Sequence, residues 1–286
     1  MRFTFSWALI ALFAFPQLTS AQSKAKVIVD KSIAAMKATR TMTGRINRTE
    51  RVKGEYLKGD MYFKMTVRPY QAYIFNFEPD EGTEILFRKG QNKDRLLINP
   101  NKFPFVNVNL NPYSDLVLKD KHHTVMDVGM TYTLGVVQHV LNEYGEDFDK
   151  YVSYKKDVTF MDKPCHVIEI NYPDYKFEEY TVQAGENLID IDQKLRVPAY
   201  KILELNRDKG VKDFFDVEAG DVITVPNVYG SRVIFFIDKK HYLPIVQIVY
   251  DDVGLFEKYE YVDFKYNPPF APNEFEPEFE EYDFKR

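Results

Sequence analysis

The chain has 286 residues, and its 43 acidic side chains exceed its 38 basic ones, which gives a formal net charge of −5. Nucleic acids and anionic membranes attract clustered Lys and Arg, so this balance argues against either as a partner. The single cysteine, Cys165, cannot form an internal disulfide, so packing alone has to stabilise what reads as a globular β-rich chain with 20 Tyr and 23 Phe.

The N-terminus has the pattern of a secretory signal peptide over residues 1–21. Arg2 precedes an apolar run, Trp7 to Phe15, and residues 19–21 supply a small-residue cleavage site. The run is shorter than the roughly 20 apolar residues that span a bilayer, and no later segment approaches that length. We therefore expect an exported protein without a transmembrane segment, with an uncleaved membrane anchor as the alternative.

The mature chain is predicted to begin with an amphipathic helix over residues 24–39, followed by an antiparallel meander. Alternating apolar residues predict strands, because successive side chains of a strand point to opposite faces. Pro and Gly-rich turns at 79–82 and 90–92 separate successive strands. One face of the early strands is expected to carry Met61, Phe63, Met65 and Val67, then Tyr73, Phe75 and Phe77, then Ile85 and Phe87.

The alternation of apolar and polar residues stops between residues 99 and 157. Within this stretch, a second helix is predicted over residues 130–144. Leu134, Val137, Val140 and Leu141 share one face of that helix. Strand patterns resume over residues 158–172, 232–237, 245–250 and 256–264. Residues 179–228 interrupt the meander.

The interrupting segment follows the order strand, helix, helix, strand. Gly185 permits a tight turn after the first strand, Asn187 can cap the first helix, and Pro198 suits the first turn of the second. If the two short strands pair, the ends of the segment lie about 5 Å apart, so it can replace a hairpin turn of the surrounding sheet.

This segment resembles a LysM domain in its residues 180–188 (YTVQAGENL), its Leu205-Asn206 pair and its final strand, 219–226 (AGDVITVP). The resemblance implies binding of peptidoglycan or another N-acetylglucosamine polymer in a shallow groove between two loops, with Leu188 or Phe215 as an apolar wall. The loop over residues 206–220 is longer than the family usually has, so a module kept only as a spacer is the alternative. The glycan-binding residues implied are Gly185, Glu186, Asn187, Leu188, Phe215, Asp216 and Val217.

The two flanking parts, residues 22–178 and 229–286, resemble the superfamily of periplasmic lipoprotein carriers, the LolA-like proteins. Residues 68–70, 84–87, 127–130, 236–238 and 259–264 carry the resemblance. It implies an α+β fold, an antiparallel half-barrel sheet with covering helices, whose apolar side holds a lipid or lipoprotein. The early-strand residues named above are the expected cavity lining, and ordinary core packing is the alternative for each of them.

No catalytic residue, metal site or cofactor is predicted. Cys165 and His166 are neighbours on a strand and must point to opposite faces, so they cannot share a proton. His122 and His123 match no metal-binding spacing and are expected in a polar loop. The Glu-rich stretch 273–283 is expected to be a solvated tail, although Phe275 and Phe279 would allow it to dock on the sheet.

Together these patterns predict a non-catalytic periplasmic protein of the bacterial envelope. Its half-barrel would bind an apolar ligand while the LysM-like module holds it to peptidoglycan. A cell-wall enzyme targeted by the module is the main alternative, and a cluster of titratable residues in the cavity would favour it. The third hypothesis is a structural linker that contacts another envelope protein.

Overall fold

A computed structural model describes residues 23–103 and 105–284 of the chain, so the signal peptide predicted over residues 1–21 lies outside the described residues. The helices are α1 (Lys24–Ala38), α2 (Asp115–Leu118), α3 (Thr131–Tyr144), α4 (Phe148–Tyr151), α5 (Leu188–Leu195) and α6 (Ala199–Asn206). The strands are β1 (Thr41–Val52), β2 (Glu55–Val67), β3 (Tyr70–Glu78), β4 (Glu84–Arg88), β5 (Leu96–Asn99), β6 (Val108–Leu110), β7 (Val152–Phe160), β8 (Lys163–Asn171), β9 (Phe177–Thr181), β10 (Val222–Pro226), β11 (Arg232–Asp238), β12 (Pro244–Tyr250) and β13 (Leu255–Tyr266). Among the described residues, no helix is both long and apolar enough to cross a lipid bilayer.

Eleven strands form one antiparallel sheet in the order β6-β5-β4-β3-β2-β1-β13-β12-β11-β8-β7. The sheet is open, because β6 and β7 lie at its two edges without pairing to each other. The pairing of β1 with β13 joins the first half of the chain to its last strand. An open antiparallel sheet with covering helices confirms the predicted α+β class.

The face of the sheet that α1 and α3 cover is called the inner face, and strand register decides which side chains it carries. Phe63 of β2 lies opposite Ile74 of β3, and Met65 lies opposite Ala72. Directly paired residues share a face, so the inner face of β3 carries its even-numbered residues. The prediction that Tyr73, Phe75 and Phe77 lie on the same face as Phe63 is therefore wrong.

The inner face has an apolar core beneath the helices. Phe63, Met65 and Phe87 are fully buried there. They belong to one cluster with Met36 of α1 and Val125, which precedes α3. The predicted first helix, 24–39, and second helix, 130–144, match α1 and α3 to within one residue at each end.

The opposite, outer face of β3 is covered by the C-terminal segment, residues 270–284. The ring of Tyr282 stacks on that of Tyr73 with centroids 3.8 Å apart. Phe275, Phe279, Tyr282 and Phe284 are buried in the same cluster. The expectation of a solvated tail is wrong, because its aromatic side chains bury apolar area that would otherwise face water.

An ion pair also holds the C-terminal segment. The Lys64 ammonium, on the outer face of β2, lies 2.5 Å from a carboxylate oxygen of Glu274 and 2.9 Å from one of Glu281. Burial lowers the pKa of Lys64, but hydrogen bonds from its ammonium to the two carboxylates raise it more, so the net pKa is raised. Two acidic residues of the tail therefore pair with a buried cation, although Glu281 itself stays 64 % exposed.

The predicted order of strand, helix, helix and strand is present between residues 177 and 226. β9 and β10 pair antiparallel as a separate two-stranded sheet, with α5 and α6 between them. Asn187 caps α5, since its side-chain oxygen accepts hydrogen bonds from the backbone N–H of Ile189 and Asp190. The segment leaves the large sheet after β8 and returns at β11, which pairs with β8.

Replacing Tyr282 with Ala should lower the free energy of unfolding by about 3 kcal/mol, because a buried aromatic ring and its stacking on Tyr73 are lost. Urea unfolding of the two proteins measures the difference. Tyr56→Ala removes a tyrosine that is 52 % exposed and should cost less than about 0.5 kcal/mol. Equal stability of the two variants would show that the packing of Tyr282 on Tyr73 does not stabilise the fold.

Candidate functional site

A cavity of about 160 Å³ lies between the inner face of the sheet and α3. Every strand of the large sheet except β6 contributes at least one lining side chain. Val29 of α1 and Phe148 of α4 also line the cavity, and α3 contributes Tyr132, Thr133, Val136, Val137, Val140 and Leu141. The cavity therefore extends across the sheet beneath α3.

The floor of the cavity is apolar on both sides of a polar centre. One apolar part comes from β2 to β5, and the other from β7, β8, β11 and β12. The first is lined by Met61, Ile74, Ile85 and Leu96, and the second by Val152, Ile170, Val233, Phe235 and Val249. The polar centre lies on the two strands between them, β1 and β13.

Glu50 of β1 and Glu257 of β13 stand opposite each other in the strand register. Both are buried, with relative exposures of 1 % and 2 %. Arg48 forms an ion pair with Glu50, and the hydroxyl of Tyr259 donates a hydrogen bond to the same carboxylate. Glu50 is thereby neutralised by groups of β1 and β13 themselves.

Glu257 is held by residues from other elements. Its carboxylate accepts a hydrogen bond of 2.7 Å from the hydroxyl of Tyr229 and lies 2.9 Å from Nδ1 of His122 and 3.3 Å from Nε2 of His123. Nδ1 of His123 lies 3.5 Å from Asp127. The two histidines lie in the loop between α2 and α3, consistent with the predicted polar loop, and both of them pair there with the buried carboxylate of Glu257.

The opposite charges in this cluster stabilise the charged forms of its side chains. Burial lowers the pKa of His123, but Glu257 and Asp127 raise it more, so the net pKa is well above the ordinary value. Burial raises the pKa of Glu257, but His123 and His122 lower it well below its usual range. His123 is therefore a cation and Glu257 an anion at neutral pH.

The sequence contains one signal for this polar centre. Arg48 and Glu50 alternate on β1 as Glu257 and Tyr259 do on β13. Charged residues at every second position of a strand next to apolar ones indicate a face that is polar or internally paired. Only the register of β1 against β13 shows that the two charged stretches meet.

The predicted cavity residues occupy three places. Met61 and Ile85 line the cavity. Phe63, Met65, Val67 and Phe87 pack in the apolar core of the inner face. Tyr73 and Phe75 lie in the outer-face cluster, and Phe77 packs edge-on against Phe75. Tyr172, which the prediction omitted, lines the cavity with a buried hydroxyl that has no hydrogen-bond partner among the described residues.

The residues implied for glycan binding lie in two loops that meet. The backbone N–H of Leu188 donates a hydrogen bond of 2.9 Å to the carbonyl of Phe214, which joins the loop over residues 183–188 to the loop over residues 212–217. The Leu188 side chain is fully buried and Val217 nearly so, whereas Phe215 is 42 % exposed. Phe215 is therefore the apolar side chain that these loops present to solvent.

Two acidic residues of these loops already accept hydrogen bonds from within the segment over residues 177–226. Glu186 accepts hydrogen bonds from the Tyr180 hydroxyl at 2.6 Å and from Lys194 at 2.8 Å, and these two donors lower the pKa of Glu186 to about 2. Asp216 accepts one from the backbone N–H of Lys212. Gly185 has a φ of +81°, which a tight turn requires and which other residues rarely adopt.

A buried ion-pair network fixes α6 to the large sheet. Lys201 of α6 lies 2.9 Å from Asp251, 3.0 Å from Glu204 and 2.8 Å from Asp252. Arg51 of β1 donates a hydrogen bond of 3.0 Å to the other oxygen of Asp251. The segment over residues 177–226 is thus held by side chains as well as by its two chain connections.

A second cavity, of about 200 Å³, separates α5 from the segment that joins α2 to α3. Asp192 of α5 lines it and accepts a hydrogen bond of 3.0 Å from the hydroxyl of Tyr132. Burial raises the pKa of Asp192 to about 7, and the nearby Asp127 adds to the shift while His123 opposes it. The contact between α5 and α3 therefore includes a carboxyl group that titrates near neutral pH.

Cys165 and His166 lie on opposite faces of β8, as strand alternation predicts. The Cys165 thiol is completely buried, which raises its pKa to about 11. His166 pairs with Asp157 at 2.7 Å. Within residues 23–103 and 105–284, no group of three or more His, Cys, Asp and Glu side chains could hold a metal ion.

A family model described as a protein of unknown function, DUF1571, matches residues 39–209. No curated protein matches the chain. Similar solved structures include LprF from Mycobacterium bovis, at 14 % identity and a TM-score of 0.42 over 87 % of this chain and 96 % of that one. The lipoprotein LppX from Mycobacterium tuberculosis is 13 % identical, with a TM-score of 0.41 over 86 % of this chain and 96 % of that one. A LolA superfamily protein from Nitrosomonas europaea is 10 % identical, with a TM-score of 0.33 over 89 % of this chain and 98 % of that one.

The ion pair of His123 makes stability depend on pH. A raised pKa in the folded state stabilises the protein fully below the unfolded value of about 6.5, and this stabilisation is lost as pH rises through the folded value. Between about pH 7 and about pH 9, the melting temperature should fall by roughly 3 °C more in the natural protein than in His123→Gln, which corresponds to about 1 kcal/mol. His139→Gln, which removes a histidine from α3, is the control and should keep the natural slope. Parallel pH profiles for the natural protein and His123→Gln would contradict the assignment.

Proposed function

The chain belongs to the DUF1571 family, and from this premise we propose that it is a non-catalytic protein that binds an apolar ligand, such as a lipid or the acyl chains of a lipoprotein. The observation that carries the proposal is the cavity between the sheet and α3. Its apolar lining reaches from β5 at one side to β7 at the other. Ligand sites in proteins are typically apolar clefts with a few polar groups that fix orientation, and this cavity has that composition.

The packing of α3 supports the proposal. The helix is rich in Val and Leu, yet none of its side chains, all of which the structure describes, is fully buried. Val136, Val137, Val140 and Leu141 are half-buried and face the cavity. When an apolar molecule displaces water from half-buried apolar side chains around a cavity, the free energy of the system falls, which favours binding.

Introducing a charge into the cavity wall tests this binding. N-phenyl-1-naphthylamine is a neutral apolar fluorophore, and we expect it to bind the natural protein with increased fluorescence. Val140→Asp should weaken that binding at least tenfold, because an apolar ligand would have to desolvate a carboxylate. The matched control Val253→Asp changes a valine that is 68 % exposed in a turn, and it should bind as the natural protein does. Equal binding by a folded Val140→Asp variant would place the ligand elsewhere.

The cluster around Glu257 is the feature that the sequence analysis expected of a cell-wall enzyme. A general acid or base works best when its pKa lies near the working pH. The pKa of Glu257 is instead shifted down and that of His123 up. Three partners already occupy the Glu257 carboxylate: Tyr229, His122 and His123. These properties favour a structural ion pair, so we retain the binding function over the enzymatic one.

We also propose that the segment over residues 179–228 is a LysM-like module that binds peptidoglycan or another N-acetylglucosamine polymer. The contact between its two loops and the exposed ring of Phe215 support this assignment. Backbone groups of such loops can bind acetamido groups, and an aromatic ring can pack against the sugar. With the signal peptide indicated by residues 1–21, this assignment favours an exported protein of the periplasm.

Sedimentation with purified sacculi tests the module. The natural protein should sediment with sacculi, and Phe215→Ala should reduce the bound fraction severalfold, because the exposed apolar wall is removed. Phe103→Ala, which removes a ring that is 86 % exposed outside the module, is the control and should sediment normally.

The other outcomes of this experiment separate the hypotheses. Release of muropeptides into the supernatant would favour the cell-wall enzyme. Sedimentation together with failure to bind the fluorophore would favour the structural linker. Unchanged sedimentation of Phe215→Ala would remove the groove from the proposal.

A further inference from the structure

The charged side chains that line the cavity are paired within the protein, with one exception. Arg48 and Glu50 form an ion pair, and Asp127 and Glu257 share His123. Asp80, at the rim, pairs with Lys102 at 3.1 Å. The exception is Lys121: it lines the cavity, but no described residue forms a hydrogen bond or an ion pair with its ammonium group.

The surroundings of Lys121 make an unpaired ammonium costly. The side chain is half-buried, and burial together with the nearby Arg48 lowers its pKa, although Asp80 and Glu50 oppose the shift. A charge that is partly removed from water without a counter-ion is unfavourable, and a perturbed ionisable group in a cleft is a candidate functional group. An anion placed next to Lys121 would remove this cost.

The backbone that carries Lys121 is held firmly. The ring of the neighbouring residue, His122, is fixed between Glu257 at 2.9 Å and the carbonyl oxygen of Arg51 at 3.0 Å. The same ring stacks on Phe256 and on Tyr200, at centroid distances of 4.2 and 4.5 Å. Lys121 is therefore presented to the cavity from a fixed position.

From this geometry we infer that the cavity selects amphiphiles with an acidic head group, a carboxylate or a phosphate, whose anion pairs with Lys121 while the apolar chain lies under α3. The inference rests on the proposed function, because it assigns the head-group end of the same cavity. An ammonium group offers three N–H donors and a full charge, so an anion matches it better than a neutral hydroxyl does. The apolar walls next to Lys121 require that the anion carry a hydrocarbon chain.

Competition against N-phenyl-1-naphthylamine on the full chain tests the inference. Tetradecanoate and dodecyl phosphate should displace the fluorophore at least tenfold more effectively than tetradecanol, which has a neutral head group. Lys121→Met keeps the length of the side chain and should remove this preference by weakening the acids while leaving the alcohol unchanged. Lys119→Met, an exposed lysine two residues away, is the matched control and should retain the preference. A melting curve of each variant establishes that it is folded.

Three results would overturn the inference while leaving the proposed function intact. These are equal competition by tetradecanoate and tetradecanol, equal weakening of both by Lys121→Met, and displacement of tetradecanoate by inorganic phosphate alone, which would indicate a site for free anions. If neither amphiphile competes with the fluorophore, or the fluorophore itself does not bind, the proposed function fails and this inference fails with it. The two failures are therefore distinguishable.

Discussion

Two carboxylates, Glu50 and Glu257, face each other across the β1–β13 pair in the middle of the inner face. Like charges directly opposite on neighbouring strands destabilise a sheet, and burial increases the cost. Each carboxylate has its own cation, Arg48 for Glu50 and His123 for Glu257, and its own tyrosine hydroxyl. Because His123 belongs to the segment that leads into α3, neutralising Glu257 also sets where α3 begins above the sheet.

The position of α3 explains why a cavity exists at all. The start of the helix is held by the polar centre, and the rest of it passes over strands that carry mainly Val and Ile. The helix therefore covers the sheet, but its own apolar side chains are not completely buried. A ligand that enters meets apolar walls on both sides of a centre whose charges, apart from that of Lys121, are already neutralised among the described residues.

Local patterns in the sequence predicted the helices best. The helical periodicity of α1 and α3 and the capping of α5 by Asn187 depend on residues within a few positions of each other. Local patterns were misleading for β3, because they predict Tyr73 on the inner face and the structure has it on the outer face. Aromatic residues are apolar enough for either face, and the choice depended on Tyr282, more than 200 residues further along the chain. Local patterns also gave no indication that His122 and His123 pair with Glu257, because nothing near them in sequence reveals that residue.

The sequence by itself determined the class of fold and the interruption of the sheet by a strand-helix-helix-strand segment, since periodicity and turn residues act over short distances. Tertiary structure alone decided which side chains share the cavity, because strand register and the pairing of β1 with β13 bring together residues that are far apart in the chain. For the same reason, only the folded chain shows which charges find partners and that the ammonium of Lys121 does not.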